Sequence, residues 1–444
     1  MIFVYEDEGY KNLLPLVYTR PTFDLRCGNF TILERIQKLY PGEAIGFLVR
    51  DYLVPVTREG YPPESGLPRK AGAICLDEGS IRQCLVQGTN SKLEIENDTV
   101  LFLSGRAILE EMIPIEGEEE ILVTSHKPQD TSPVSQGTSH KSKAKSSQLQ
   151  YDIVGFRVHS SKIKRLPIDS KDIAKLRLKQ KEVAAKLINF PWNLITLNPE
   201  LLKNDFTAGQ VKGILEPRAI IYGDLSKLQL AQNARIEPGA VLNLHSGPIY
   251  IDQGAKISPT SLIEGPCYIG KNTIIDGAKI RPNCSFGENC RIGGEVEASI
   301  FQGFSNKHHE GFLGHSYIGE WVNLGALTTN SDLRNDYGSI KVTVGKKEID
   351  TGITKLGCFI GDHSKTAIGT LINTGAMIGI FANLFEPGLS SKTIPSFSWG
   401  NKKRWQIEDV LKTAKSVMAR RNVPLTKSYE NLIRYHYRKI SVGR

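Results

Sequence analysis

Long hydrophobic runs are missing. No stretch of the 444 residues approaches the roughly 18 consecutive apolar side chains of a membrane span. A basic leader is missing too: the opening, MIFVYEDEGYKN, is acidic at its sixth to eighth positions and lacks the n-region of a signal peptide. A cytoplasmic protein is the expectation. Cysteine is sparse, with seven residues and no C-x-x-C pair, which argues against a disulfide framework and for buried reduced thiols. A one-signed field over the body is absent as well. The formal charge is +9, but residues 401–444 hold twelve Lys/Arg against three acids, an excess equal to that of the whole chain. Nothing is left to line a nucleic-acid groove. The basic tail reads as a solvated capping helix, with an acidic partner or a membrane surface as the other reading.

What is present is 40% hydrophobic and 23% charged, a soluble globular composition long enough for two or three domains. Residues 1–123 mix short apolar runs, AIGFLV (44–49) and TVLFLSG (99–105), with loops, which suggests α/β. Residues 124–150 are rich in Ser, Thr, Lys and Gln and read as a disordered insertion. YDIVGFRV (151–158) reads as a strand, and DIAKLRLKQKEVAAKLI (172–188) as a helix.

The strongest signal follows. Ile251, Ile257, Ile263, Ile269 and Ile275 recur every six residues, and mostly small residues follow each by four. A period of six fits neither an α-helix nor a free strand. It fits the hexapeptide repeat of a left-handed β-helix, with Ile inward and Gly, Asn or Asp at the corners. The period resumes at Phe312, Ile318 and Leu324, and again at Ile372, Ile378 and Leu384. Residues 331–355 break it and must loop out. Ile407, Val410, Leu411, Ala414, Val417 and Met418 then form a helical stripe, expected to cap the last coil. The expected division is 1–205 (α/β), 206–395 (β-helix) and 396–444 (helical cap).

The stretch GFLGHSYIGEWVNLGALT (311–328) resembles a motif of the GlmU family of bifunctional proteins, GHLxYLGDxxIGxxVNxGAGT. The resemblance covers about 215–390 and implies a trimeric acyltransferase that takes acetyl-CoA as substrate. It puts the catalytic histidine on His309, the family's Tyr on Phe312, and a CoA- or acyl-contacting backbone on Gly325 and Ala326. AKIRP (278–282) resembles ARLRP, which implies Arg281 as a sugar-phosphate ligand. LRNDYGSIKV (333–342) implies Lys341. The family's substrate Asn falls on Asp332, with Asn330 close by, and Ser299 replaces a family lysine. An imidazole with an ordinary pKa near 6.5 suits deprotonation of an amine at neutral pH, and Arg suits phosphate. His308 reads as structural. His315 and His363 read as exposed turn residues. The spacing of 308, 309 and 315 matches no standard zinc pattern.

NLLPLVYTRPTFDLRCGNFTILERI (12–36) is similar to the opening of sugar nucleotidyltransferases, which implies NTP and sugar-1-phosphate as substrates, with Mg²⁺ if that activity is retained. Thr22 stands where the family has a phosphate-binding lysine, and Arg106 where it has a Mg²⁺-binding Asp. YEDEGYKN replaces the glycine-rich loop. Arg20, Arg26 and Arg106 are candidates for the missing phosphate contacts, and Asp24 and Asp77 for the carboxylates; alternatively the arginines are structural. No metal ligands are named. Together these readings imply acyl transfer to an amino-sugar 1-phosphate, with nucleotidyl transfer to a UDP-N-acetylglucosamine-type product. The alternative is a catalytically degenerate scaffold or regulatory protein that binds nucleotide sugars.

Overall fold

The structure is a computed structural model that describes residues 1–61, 75–76, 99–126, 150–159, 173, 176–401 and 403–440. Asp77, Asp172 and most of the 124–150 insertion lie outside the described residues. Two compact units emerge. One comprises residues 1–8, 36–49 and 61–187; the other comprises 9–35, 50–60 and 188–444.

The first unit is built on a seven-stranded mixed sheet. Its order is Lys179–Glu182, Glu120–His126, Gln150–His159, Thr99–Ser104, Ile2–Tyr5, Ile45–Leu48 and Cys75–Leu76. Ile2–Tyr5 runs parallel to both of its neighbours. All four of its residues are buried, as expected of a strand covered on both faces. The rings of Phe3, Phe102 and Phe156 stack across three strands, with centroids 5.3 and 4.6 Å apart. The strand expected at 151–158 is present. The helix expected over 172–188 does not run through it: Ile173 is helical, but Lys179–Glu182 and Ala185–Leu187 are strands. Edge pairing with Glu120–Val123 and with Ala107–Leu109 overrides the helix-like spacing of its Leu and Ala residues. The helix falls instead on Pro191–Asn204 in the second unit, with Pro at its first turn.

The second unit contains a parallel β-solenoid with three faces. Two faces begin with unbroken runs of six strands and continue in Thr329–Asn330 with Leu371–Ile372 and in Lys365–Thr366 with Asn383–Leu384; the third is a run of nine, from Leu228–Leu230 to Thr393–Ile394. Strands on successive coils pair in parallel: Arg235–Ile236 with Lys256–Ile257, then Ile274–Ile275, then Arg291–Ile292, then Asn306–Lys307. All five repeat isoleucines are completely buried, as is the column that continues through Ile280, Phe286 and Ile292. One register shifts from expectation. Leu313, not Phe312, points inward: Leu313 is completely buried and Phe312 half-buried. Residues 331–355 do loop out, and they carry the hairpin Lys341–Val344/Lys347–Asp350.

Not all corners are Gly, Asn or Asp. Trp321, His363, Phe381 and Phe397 have φ between 53° and 61°, a left-handed conformation costly for bulky residues. Their rings form a stack that begins at Phe304, with centroids 4.4 to 6.0 Å apart. The stack packs under the tail helices Ile407–Ala419 and Lys427–Lys439: Phe381 and Phe397 share a core with Val410, Leu411, Ala414 and Ile433. The apolar stripe of the tail is therefore spent on the flank of the coils rather than across the last one. His363, expected to be exposed, is completely buried in this stack. Its Nε2 meets the Tyr429 hydroxyl at 3.2 Å.

His436 is the second buried histidine, with Nε2 2.7 Å from the Tyr18 carbonyl. Burial pushes it down to about 4 from its ordinary 6.5. Burial, with Lys365 and Arg20 nearby, holds His363 well below 6.5 as well. The unfolded chain thus binds more protons than the folded one between about pH 6.5 and 4, so stability falls as pH drops through that window. Replacing His436 by Phe should remove up to roughly 3 kcal/mol of this acid sensitivity, read from urea midpoints at pH 7 and pH 4.5.

Candidate active site

His309 sits on the corner that joins Asn306–Lys307 to Phe312–Gly314. It is exposed, and its ring makes no hydrogen bond among the described residues. Its neighbour His308 lies 5.3 Å away, ring to ring. His308 pairs with Asp276 at 2.8 Å, which together with the Ser258 side chain holds that carboxyl below its ordinary range.

The next coil turns through Gly325, Ala326 and Leu327. The Leu327 amide donates to the Glu310 carbonyl at 2.7 Å, so the corner bearing His309 stacks directly on the corner bearing Ala326, at the coil spacing of about 4.8 Å. The Gly325 amide is spent on Thr366. The Ala326 amide has no hydrogen-bond partner among the described residues. An exposed imidazole and an open backbone donor thus lie on adjacent corners. Gly311 makes the approach possible: its φ is +124°, and a Cβ there would lie 2.2 Å from the Thr328 carbonyl oxygen.

Arg281 lies on the same face as Phe312. Lys279 pairs with Glu295, and Glu295 with Phe312, which puts Arg281 about 10 Å along the face, two coils away. Its guanidinium is 38% exposed, 3.2 Å from Glu264 and 3.6 Å from Glu295. Lys341 is half-exposed on the hairpin and pairs with Glu348 at 3.4 Å. Asn330 has little to offer a ligand. It is buried, and its amide group exchanges hydrogen bonds with the Gly314 backbone at 2.8 and 2.9 Å. Asp332 pairs with His315 Nδ1 at 2.8 Å, and this partner leaves His315 half-buried rather than exposed. Ser299 is completely buried; it donates to the Glu297 carbonyl and accepts from the Ser316 amide.

The three N-terminal arginines are engaged inside their own units. Arg20 and Thr19 both bond Asp362, and Arg20 also bonds Glu320 at 3.0 Å. Arg26 bonds the Asn29 carbonyl at 2.5 Å and lies over the Tyr268 ring. Arg106 grips Asp7 through Nε and a terminal nitrogen at 2.8 and 2.9 Å. Asp7 and Arg106 follow the paired strand ends Tyr5 and Ser104, at the carboxyl edge of parallel strands where α/β sheets bind ligands. Thr22 is completely buried. Among the described residues no cluster of three or more His, Cys, Asp or Glu could hold a metal ion, and no helix is long and apolar enough to cross a membrane.

Sequence reasoning missed Asp7, Asp362 and Lys307. Only Lys307 had a signal: it stands six residues before Leu313, at an inward position.

An α/β unit and a parallel β-solenoid with an exposed histidine corner define the class, a nucleotidyltransferase-like domain joined to a hexapeptide-repeat domain. Comparison with known proteins agrees. Residues 2–211 match the family model described as "Sugar nucleotidyl transferase". The chain is similar to the "Bifunctional sugar-1-phosphate nucleotidylyltransferase/acetyltransferase" of Sulfurisphaera tokodaii, 34% identical over 47% of this chain and 46% of that protein. It is also similar to the "Bifunctional protein GlmU" of Methanococcus aeolicus (29% identical, 43% of this chain and 41% of that one) and of Methanocaldococcus jannaschii (28%, 43% and 40%). The matched segments span under half the length of these relatives. A GlmU-like resemblance of the chain is thus supported by a family model over its N-terminal part and by curated relatives.

Proposed function

We propose that the protein transfers an acyl group from acetyl-CoA to the amine of an amino-sugar 1-phosphate. The observation that carries this reading is the pair of stacked corners, with the exposed His309 ring on one and the open Ala326 amide on the next. His309 takes the proton of the amine as its nitrogen attacks the thioester carbonyl. The Ala326 N–H stabilises the negative charge that develops on the carbonyl oxygen. The C–N bond forms, the C–S bond breaks, and the proton leaves with the thiol of CoA. Arg281 holds the sugar phosphate, with Lys341 as a further cation, and Phe312 flanks the sugar. Asp332 acts by orienting His315 beside that face. A homotrimer completes the pocket, since an exposed base needs a second wall to exclude water.

We assign to residues 2–211 the joining of the acylated sugar 1-phosphate to a nucleotide, from NTP with Mg²⁺, giving a UDP-N-acetylglucosamine-type product. The family match supports this. The Asp7–Arg106 pair at the strand ends favours a second reading, in which this unit only binds nucleotide sugars.

The test is direct. Purified protein is given acetyl-CoA and a panel of amino-sugar 1-phosphates, then NTP, Mg²⁺ and sugar 1-phosphates. Free CoA thiol is expected in the first assay and pyrophosphate in the second. Tight nucleotide-sugar binding with neither product would replace this reading by the scaffold one. Light scattering should give three chain masses; a monomer would remove the second wall of the pocket.

A further inference from the structure

One inward column of the solenoid changes character partway along. Down one face the inward column reads Ile236, Ile257, Ile275, Ile292 and then Lys307, in register through parallel pairs. Lys307 is only 1% exposed. Among the described residues no carboxylate bonds its ammonium. It donates instead to two backbone carbonyls, Gly293 at 3.3 Å and His309 at 2.5 Å. Gly293 and Gly294 give it room. A Cβ on Gly294 would lie 2.7 Å from Nζ, and one on Gly293 would lie 2.0 Å from the His308 carbonyl oxygen. Burial pushes the ammonium down to about 8, with the Glu310 charge acting in the opposite direction, so it remains a cation at neutral pH.

A buried charge without a counter-ion costs stability that an aliphatic side chain would not. Every preceding member of the column is such an aliphatic. The exception falls at the coil whose corner is 308–311, and its ammonium reaches that corner.

We propose that Lys307 is a positioning residue, its buried ammonium holding the backbone of the corner that presents His309. The carbonyl it grips belongs to His309 itself, and its second partner, Gly293, belongs to the stacked corner of the preceding coil. The ammonium therefore ties two coils together at the point where the candidate base leaves the solenoid. It touches neither substrate nor reacting atoms. The inference rests on the acyl-transfer reading for its kinetic consequence, but not for its structural one.

Lys307→Met separates the two. Methionine fills the column, and the exposed side of the corner rehydrates the His309 carbonyl, so the melting temperature should be unchanged or higher. Amide hydrogen exchange over His309–Gly311 should quicken by about 10-fold as the corner loosens. In the CoA-release assay kcat should fall about 10- to 100-fold, with KM for acetyl-CoA within about threefold. A lower melting temperature with unchanged exchange and unchanged kcat would make Lys307 a core filler and overturn the proposal. If Lys307→Met fails to fold, Lys307→Gln, which keeps N–H donors, is measured in the same way. Failure of both to fold also overturns it. If the wild type releases no CoA, the acyl-transfer reading fails, and exchange at 309–311 still decides whether Lys307 holds the corner.

Discussion

Replacing His309 by alanine should lower kcat/KM for CoA release by about 10²- to 10⁴-fold, the usual worth of a positioned general base. The argument starts from exposure. His309 is exposed, and its ring makes no hydrogen bond among the described residues, so its removal leaves no buried group unsatisfied and no cavity. Stability should change by less than about 0.5 kcal/mol, as for surface substitutions generally. A large kinetic effect without a thermal one is what a base predicts. His308→Ala is the control. It breaks the 2.8 Å contact with Asp276, an exposed hydrogen bond whose loss should cost little, and it should leave kcat within about threefold. Equal kinetic losses in the two variants would mean that the corner, and not one imidazole, carries the activity. No loss in either would remove His309 from the mechanism.

Much of the fold was legible because the solenoid writes its register into the chain. Five isoleucines in a period of six name five buried positions, and the structure buries all five. The corners were less legible. A stacked ring stabilises a left-handed residue only when the next coil also supplies a ring, so Trp321, His363, Phe381 and Phe397 are explained by neighbours far off in sequence. The strands at 179–187 were misread for a similar reason, since their partners at 107–109 and 120–123 lie more than fifty residues away. At the candidate site, His309 and Ala326 come from the resemblance to the GlmU motif, and the structure sets them on successive, stacked corners. Asn330 was misjudged because polar residues near a motif look like ligands, whereas this one closes hydrogen bonds inside the coil. For Arg20 and Arg26 the sequence leaves phosphate contact and a structural role both open. Charge does not reveal which guanidinium already has an acceptor, and the acceptor of Arg20 is 342 residues away.

That acceptor supports the largest stability prediction. Asp362 is 1% exposed. One of its oxygens accepts from both Thr19 and Arg20, and the other accepts from the Glu320 amide at 2.7 Å. Arg20 is buried too, and among the described residues its second carboxylate partner is the partly exposed Glu320. Removing the carboxylate in Asp362→Ala strands a buried guanidinium, a hydroxyl and a backbone N–H together. Breaking a buried pair from one side costs about 3–5 kcal/mol, and the midpoint of urea unfolding should drop accordingly. The double variant Asp362→Leu/Arg20→Met removes both charges, and it should recover the part of that loss due to the unpaired guanidinium, while the Thr19 hydroxyl and the Glu320 N–H stay without their acceptor. This recovery also discriminates between roles for Arg20. A structural guanidinium can be traded for methionine once its partner is gone, with pyrophosphate and CoA release retained. A phosphate ligand cannot: the double variant would then be stable but would need a higher concentration of NTP or sugar phosphate to half-saturate.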